Sequence, residues 1–331
     1  MSVRRLHLLE LEPGERAPVL YLSIRALLAS FIVVVAFSYQ SALFLSRFRA
    51  DTLPWFYAVA AAVTVAFSIP YTGLIARFGE HHGDRLVCLL FIAGLAPGWF
   101  LEGLGNPPVA VFVFATWVKM VGLFINIFLW HHATQTFISR RAKVILPVIA
   151  AGFSLGSALG GQVVTILAST WGNQSLLGLL TVLVFVLLFI PVPALQETPR
   201  GRKGGSSVWR RGFTTLRENR LALWLTVFVL LAIPVFLGMD FILKKSLQER
   251  WTRDAIAAFM GRYYFFTNLT VFFLQTLLMG RLMRRVGVPR MTLFMPIFLV
   301  AAMPVLIFAP LFWPIARSEE RRVGKECRSR W

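Results

Sequence analysis

Cysteine is nearly missing from this chain. Two in 331 residues, Cys88 and Cys327, cannot frame a disulfide-stapled secreted domain, and Cys88 sits in an apolar run where it reads as a packing residue. Charge is scarce as well: Asp, Glu, Lys and Arg make up 15% of the residues, where a soluble domain has about a quarter. The acids are the scarcer sign, 15 against 34 Lys and Arg, and nearly all fall between apolar runs. Catalysis by paired carboxylates therefore has no foothold. There is no HExxH, no plausible Ser-His-Asp set, and no glycine loop running into Gly-Lys-Ser. His131 and His132 are adjacent, so a helix points them to different sides, and no nearby Cys or Glu completes a metal set. Neither a metal nor a cofactor is expected.

Apolar sequence takes up what is left. Hydrophobic residues are 57% of the chain, and 30 Phe with 10 Trp would overload a surface in water. Runs of about twenty apolar residues, enough to cross a hydrocarbon layer about 30 Å thick, recur between short charged loops. Nine spans are predicted: Val19–Ser46, Leu53–Ala76, Leu86–Leu104, Val109–Phe137, Val144–Ser169, Leu176–Leu195, Leu221–Leu243, Ile256–Gly280 and Met291–Pro314. The polar start, Met1 to Pro18, lacks the apolar run of a cleaved signal peptide.

Loop charge orients the spans. With the N-terminus inside, nineteen Lys and Arg fall in inner loops and six in outer ones, which predicts a multi-pass protein of the cell (inner) membrane with a cytoplasmic N-terminus. The net charge of +19 is then a topology signal, and no nucleic acid partner is needed to explain it. The lipid bilayer is the partner implied.

Three pieces and a tail are expected. Residues 1–195 form a six-helix bundle, and 196–220 a basic, Gly- and Ser-containing cytoplasmic linker. Residues 221–315 form a partial second bundle of three helices. The charged stretch 316–331 has no apolar period and reads as a non-native tail on a frame that originally continued. Leu74–Gly79 closes the second span as Leu282–Gly287 closes the eighth, so one element recurs six spans later in the same orientation.

A charge inside a span costs about 3 kcal/mol or more unless it finds a partner or a wet cavity. Arg25, Lys119, Asp240 and Arg262 stand out, three of them cationic, which suits a small anionic solute. Asp240 can pair with Lys244 one turn later. Lys119 and Asn126, seven apart, are nearly aligned on the fourth span. His132 and Gln135 share another face of it. Substrate contact is thus predicted at Arg25, Lys119, Asn126, Gln135, Asp240, Lys244 and Arg262. Gly152, Gly156 and Gly160 are spaced for close helix packing. Asn173-Gln174-Ser175 fits the glycosylation pattern in an outer loop.

Three stretches carry a family likeness. They are Phe128–Phe137 with Arg141-Ala142-Lys143, Pro147 and the Gly152–Gly161 run; Met239–Lys245; and Ala257–Tyr264 with Asn268 and Gln275. Together they resemble the ATP/ADP translocase-type nucleotide transporters and their uncharacterised bacterial relatives, in the major facilitator superfamily. The resemblance implies an all-α polytopic membrane protein, a major-facilitator-type bundle holding about nine of twelve transmembrane helices, with a central cavity and alternating access. It also implies that the family's cationic cavity residues correspond to Lys119, Lys244 and Arg262. The facilitator loop motif is degenerate: Gly73 stands, but Arg77 occupies the Asp place. The expected function is secondary transport of an anion such as a nucleotide, with no enzymatic activity. A membrane sensor or scaffold that kept the fold is the alternative.

Overall fold

The computed structural model describes residues 16–101, 103–136, 139–190, 214, 216, 218–248 and 251–279. Among them every regular element is helical: α1 Arg16–Arg47, α2 Leu53–Leu95, α3 Pro108–Thr136, α4 Ser139–Thr170, α5 Gln174–Phe189, α6 Arg220–Gln248 and α7 Arg253–Phe273. A single 3-10 turn, Ala50–Thr52, joins α1 to α2, and a π-helical turn, Leu274–Met279, extends α7. Five helices are long and apolar enough to cross a membrane: Arg16–Arg47, Ala50–Ile75, Pro108–Thr134, Ile145–Thr170 and Ala222–Gln248. Their surface and that of α7 carry Trp55, Val109, Ile166 and Phe266 in the open, a coat that suits lipid rather than water.

The predicted second and third spans form the two arms of α2, which is broken at Gly79. Gly79 has φ 79° and ψ 164°, a region that only glycine enters cheaply. The chain doubles back there, so Phe67 packs on Phe91 with ring centroids 5.9 Å apart, and Gly83 lies against Ile75. The facilitator motif points to Gly73, but the reversal is made six residues later. The third span is expected to reach Leu104. Its helix ends at Leu95, because Pro97 and Gly98 turn the chain into a 3-10 segment, Ala96–Trp99. The sixth span is shorter than expected within the described residues, 16 residues in α5. The eighth begins three residues early, at Arg253. Met291–Pro314, the second copy of the repeat, most of the 196–220 linker and the tail lie outside the described residues.

α1 is the axle of the assembly and packs on α3, α4, α5, α6 and α7. Its contact with α4 follows from the glycine spacing. Gly152 lies against Ser23, Gly156 against Leu27 and Ser30, and Gly160 against Phe31, each one turn further along both helices. On another side of α4, Gly161 meets Gly261 of α7, where a Cβ on Gly161 would stand 2.5 Å from the Gly261 carbonyl oxygen. Backbones this close let Thr165 Oγ1 donate across the seam to Ala258 O at 3.2 Å. An aromatic cluster, Phe67, Tyr71, Phe91, Phe124 and Phe128, locks α3 between the two arms of α2.

Candidate functional site

Two charged clusters lie inside the bundle. The first gathers α1, α2, α3 and α6 near the end of the molecule where α1 passes into α2. Lys244 Nζ donates to Asp240 Oδ2 at 2.7 Å, the one-turn pair expected from their spacing. Tyr57 of α2 donates to the same carboxylate oxygen, and Lys244 also reaches Tyr57 Oη at 3.4 Å. Lys244 is 1% exposed, so this charge is committed to Asp240 and the tyrosine. Lys119 stands apart. Its ammonium sits 3.7 Å from the centroid of the Phe37 ring and 6.0 Å from that of Tyr57. Ring faces hold a cation, by about 2 kcal/mol when desolvated, without cancelling its charge. Lys119 thus stands beside a carboxylate, Asp240, that Lys244 and Tyr57 already engage, and it forms no ion pair of its own among the described residues.

Asn126 lies two turns along α3 from Lys119, half-buried, with an Oδ1 that finds no hydrogen-bond partner among the described residues. Gln40 of α1 is fully buried with neither amide atom partnered among them. An unmet buried amide costs about 1–3 kcal/mol, so a ligand or water belongs beside it.

The second cluster is at the other end of the bundle. Asp84, buried on the returning arm of α2, is contacted by Arg25 Nη2 at 3.4 Å, His132 Nε2 at 2.6 Å and Tyr71 Oη at 3.2 Å. Arg25 is 4% exposed, and its Nη1 also reaches Ile190 O at 3.4 Å.

The expected site residues therefore divide. Lys119, Asp240 and Lys244 come together, with Asn126 on the same stripe of α3. Arg25 belongs to the Asp84 cluster instead. Arg262 is exposed on α7. Gln135 lies in the last turn of α3, and its side chain is outside the described set. Asn173 is corrected: it is 2% exposed, which leaves no room for a glycan. Its backbone N–H donates to Asp254 Oδ1 at 2.7 Å, and its amide oxygen, turned to Arg253, accepts from Nε and Nη2 at 3.1 and 3.2 Å.

Sequence reasoning misses Tyr57, Asp84 and Gln248. Tyr57 reads as one more aromatic in an apolar run. Asp84 reads as a loop residue, although Gly79, five residues before it, marks where that turn has to be. Gln248 gives no signal, yet it bridges α6 to the α1–α2 turn. It accepts from Ala50 N at 2.6 Å and donates to Leu45 O at 2.7 Å and Phe48 O at 2.5 Å. Lys245 adds an exposed ion pair to Asp51 at 2.7 Å, worth little by itself. Gln248→Ala should lower the melting temperature of the detergent-solubilised protein by about 4 °C or more, since each lost bond contributes about 1 kcal/mol. A melt unchanged by that substitution would remove Gln248 as a structural tie.

Comparison with family models, curated proteins and solved structures finds no significant match to the chain.

Proposed function

We propose that the protein is a secondary transporter of the major facilitator type that carries a small anion, such as a nucleotide, across a bacterial inner membrane by alternating access. The observation that carries this reading is Lys119, which forms no ion pair among the described residues. It is half-buried among aromatic rings while Asp240 is already engaged by Lys244 and Tyr57. An anion entering from water completes the charge balance that the protein leaves open. The rings of Phe37 and Tyr57 offer a flat apolar surface that a nucleobase could use. Asp240, shared by Lys244 and Tyr57, is placed to release or hold Lys244 as the anion comes and goes.

In this reading the N-terminus is cytoplasmic, nine spans are present, and the chain is embedded in lipid as two bundles joined by the 196–220 linker. Lys119 binds the substrate charge, Asn126 assists on the same face, and Arg262 adds positive potential from α7. The test is exchange of labelled ATP, and separately of labelled phosphate, by the full chain in proteoliposomes. Saturable exchange of either anion, absent from empty vesicles, supports the reading. Tight binding with no exchange moves the protein to the sensor or scaffold class. Neither binding nor exchange of any anion overturns the reading.

A further inference from the structure

The reversal at Gly79 brings the returning arm of α2 beside the end of α5, and a crevice opens between them. Its wall includes Arg25 of α1, Asp84, Arg85 and Cys88 of α2, and Leu188 with Ile190 where α5 ends. None of these groups takes part in the anion site at Lys119. The crevice has a defined depth. Gly83 lies against Ile75, the last residue of the apolar window in the first arm of α2, so Arg85 stands at the edge of the hydrocarbon layer. In the orientation that loop charge predicts, that edge belongs to the inner leaflet.

Charge in the crevice is one-sided. Asp84 is the one acidic residue that lines it among the described residues, and its carboxylate is already engaged. Oδ2 is contacted by Arg25 Nη2 at 3.4 Å and His132 Nε2 at 2.6 Å, and Oδ1 accepts from Tyr71 Oη at 3.2 Å. Arg25 is thereby balanced, and Arg85 is not. Arg85 is exposed and makes no hydrogen bond or ion pair among the described residues. The flank is apolar. The returning arm and α5 run antiparallel, since Gly98 meets Leu177 at their other end. Leu89 follows Arg85 by four residues and Phe185 precedes Leu188 by three, so each continues the same helix face one turn deeper into the layer. Both are about half exposed, at 49% and 51%. A guanidinium at the edge with an apolar trough leading inward matches the length of one phospholipid, phosphate outermost and acyl chain within.

We propose that the crevice binds an anionic phospholipid, its phosphate on Arg85 and an acyl chain along Leu89 and Phe185. Charge selects the headgroup. Phosphate and guanidinium pair through two parallel hydrogen bonds. A zwitterionic headgroup also brings a cation, for which the engaged carboxylate of Asp84 leaves no partner. A headgroup whose only charge is negative, such as phosphatidylglycerol, leaves nothing unmatched. Free phosphate makes the same pair but gains nothing from the trough. The lipid bridges α2 and the end of α5, where the protein's own link through Arg25 is long, 3.4 Å to Ile190 O. The site is independent of what the protein transports.

The experiment titrates the full chain in mild detergent with phosphatidylglycerol and with phosphatidylcholine of the same acyl chains, and counts bound lipid by native mass spectrometry. Wild type should hold one phosphatidylglycerol about tenfold more tightly than phosphatidylcholine, the size of one charge-assisted contact. Arg85→Gln should erase that preference and leave the melting temperature in phosphatidylcholine unchanged, because Arg85 has no protein partner to lose. Arg77→Gln is the control. It removes an equal exposed charge from the other arm of α2, where Arg77 lies 5.4 Å from the centroid of the Phe78 ring and outside the crevice, and should keep most of the preference. No preference in wild type, or equal losses in the two variants, overturns the site. Displacement of the lipid by inorganic phosphate at equal concentration marks a free-anion site and overturns the lipid assignment.

Discussion

Lys119→Met is expected to lower anion exchange in proteoliposomes by about 10- to 150-fold, with normal insertion and an unchanged melting temperature. The magnitude is that of one charge-assisted contact, about 1.5–3 kcal/mol, removed from an otherwise intact site. The specificity comes from what Lys119 touches. Its head group lies on the Phe37 ring, and a methionine of similar reach keeps that contact through its thioether. The packing on the ring is kept, and the loss of the cation's attraction to the ring is offset by no longer burying an amine in an apolar span. Lys119→Arg should recover part of the exchange, because the charge returns in a bulkier form. Exchange within about threefold of wild type in the methionine variant would rule out Lys119 as the anion contact, since even a weak charged contact exceeds that.

The second large effect is on assembly. Gly156→Ala should cost the protein most of its folded population in mild detergent. A Cβ at Gly156 would overlap the Leu27 carbonyl oxygen and Ser30 Oγ of α1, and backbone cannot move aside as a flexible side chain can. Separating α1 from α4 unpicks the contacts at Gly152 and Gly160 on the same face, so the cost should exceed the about 1–3 kcal/mol of ordinary overpacking. Gly238 is the control. It is also helical, in α6, but a Cβ there meets nothing within 4 Å. Gly238→Ala should be neutral or stabilising by up to about 1 kcal/mol, through helix propensity alone. Monodispersity on gel filtration and a thermal melt read both variants. Equal behaviour of the two would show that the glycine stripe is not what holds α1 to α4.

The helices were legible because twenty-residue apolar runs have few other uses, and the Lys244–Asp240 pair because one helical turn fixes it locally. The cluster around Lys119 was legible only in part. Charge inside a span flags Lys119 and Asp240, but their partners Phe37 and Tyr57 are aromatics among many, chosen by packing between helices distant in sequence. Arg25 shows the limit from the other side. Its cost in an apolar span marks it correctly as needing a partner, and only the reversal at Gly79 shows that partner to be Asp84, 59 residues on. Gln248 acts through backbone atoms of another turn, which no side-chain pattern encodes.

The placement of polar contacts along α6 has a mechanical consequence. Among the described residues, its polar ties to other helices come from Asp240, Lys244, Lys245 and Gln248, all in its final turns. The remainder, from Arg220 to Met239, presents Trp224, Leu230 and Leu231 outward. That stretch is a lever of about 30 Å at 1.5 Å per residue, fixed at one end. A rotation of about 10° at the Gln248 anchor carries Arg220, at the other end of the helix, through about 7 Å by the same rise per residue. Adjustments of a few tenths of an ångström around Asp240 are thus magnified at the far face of the molecule, and the gearing is set by where along the helix the anchor lies.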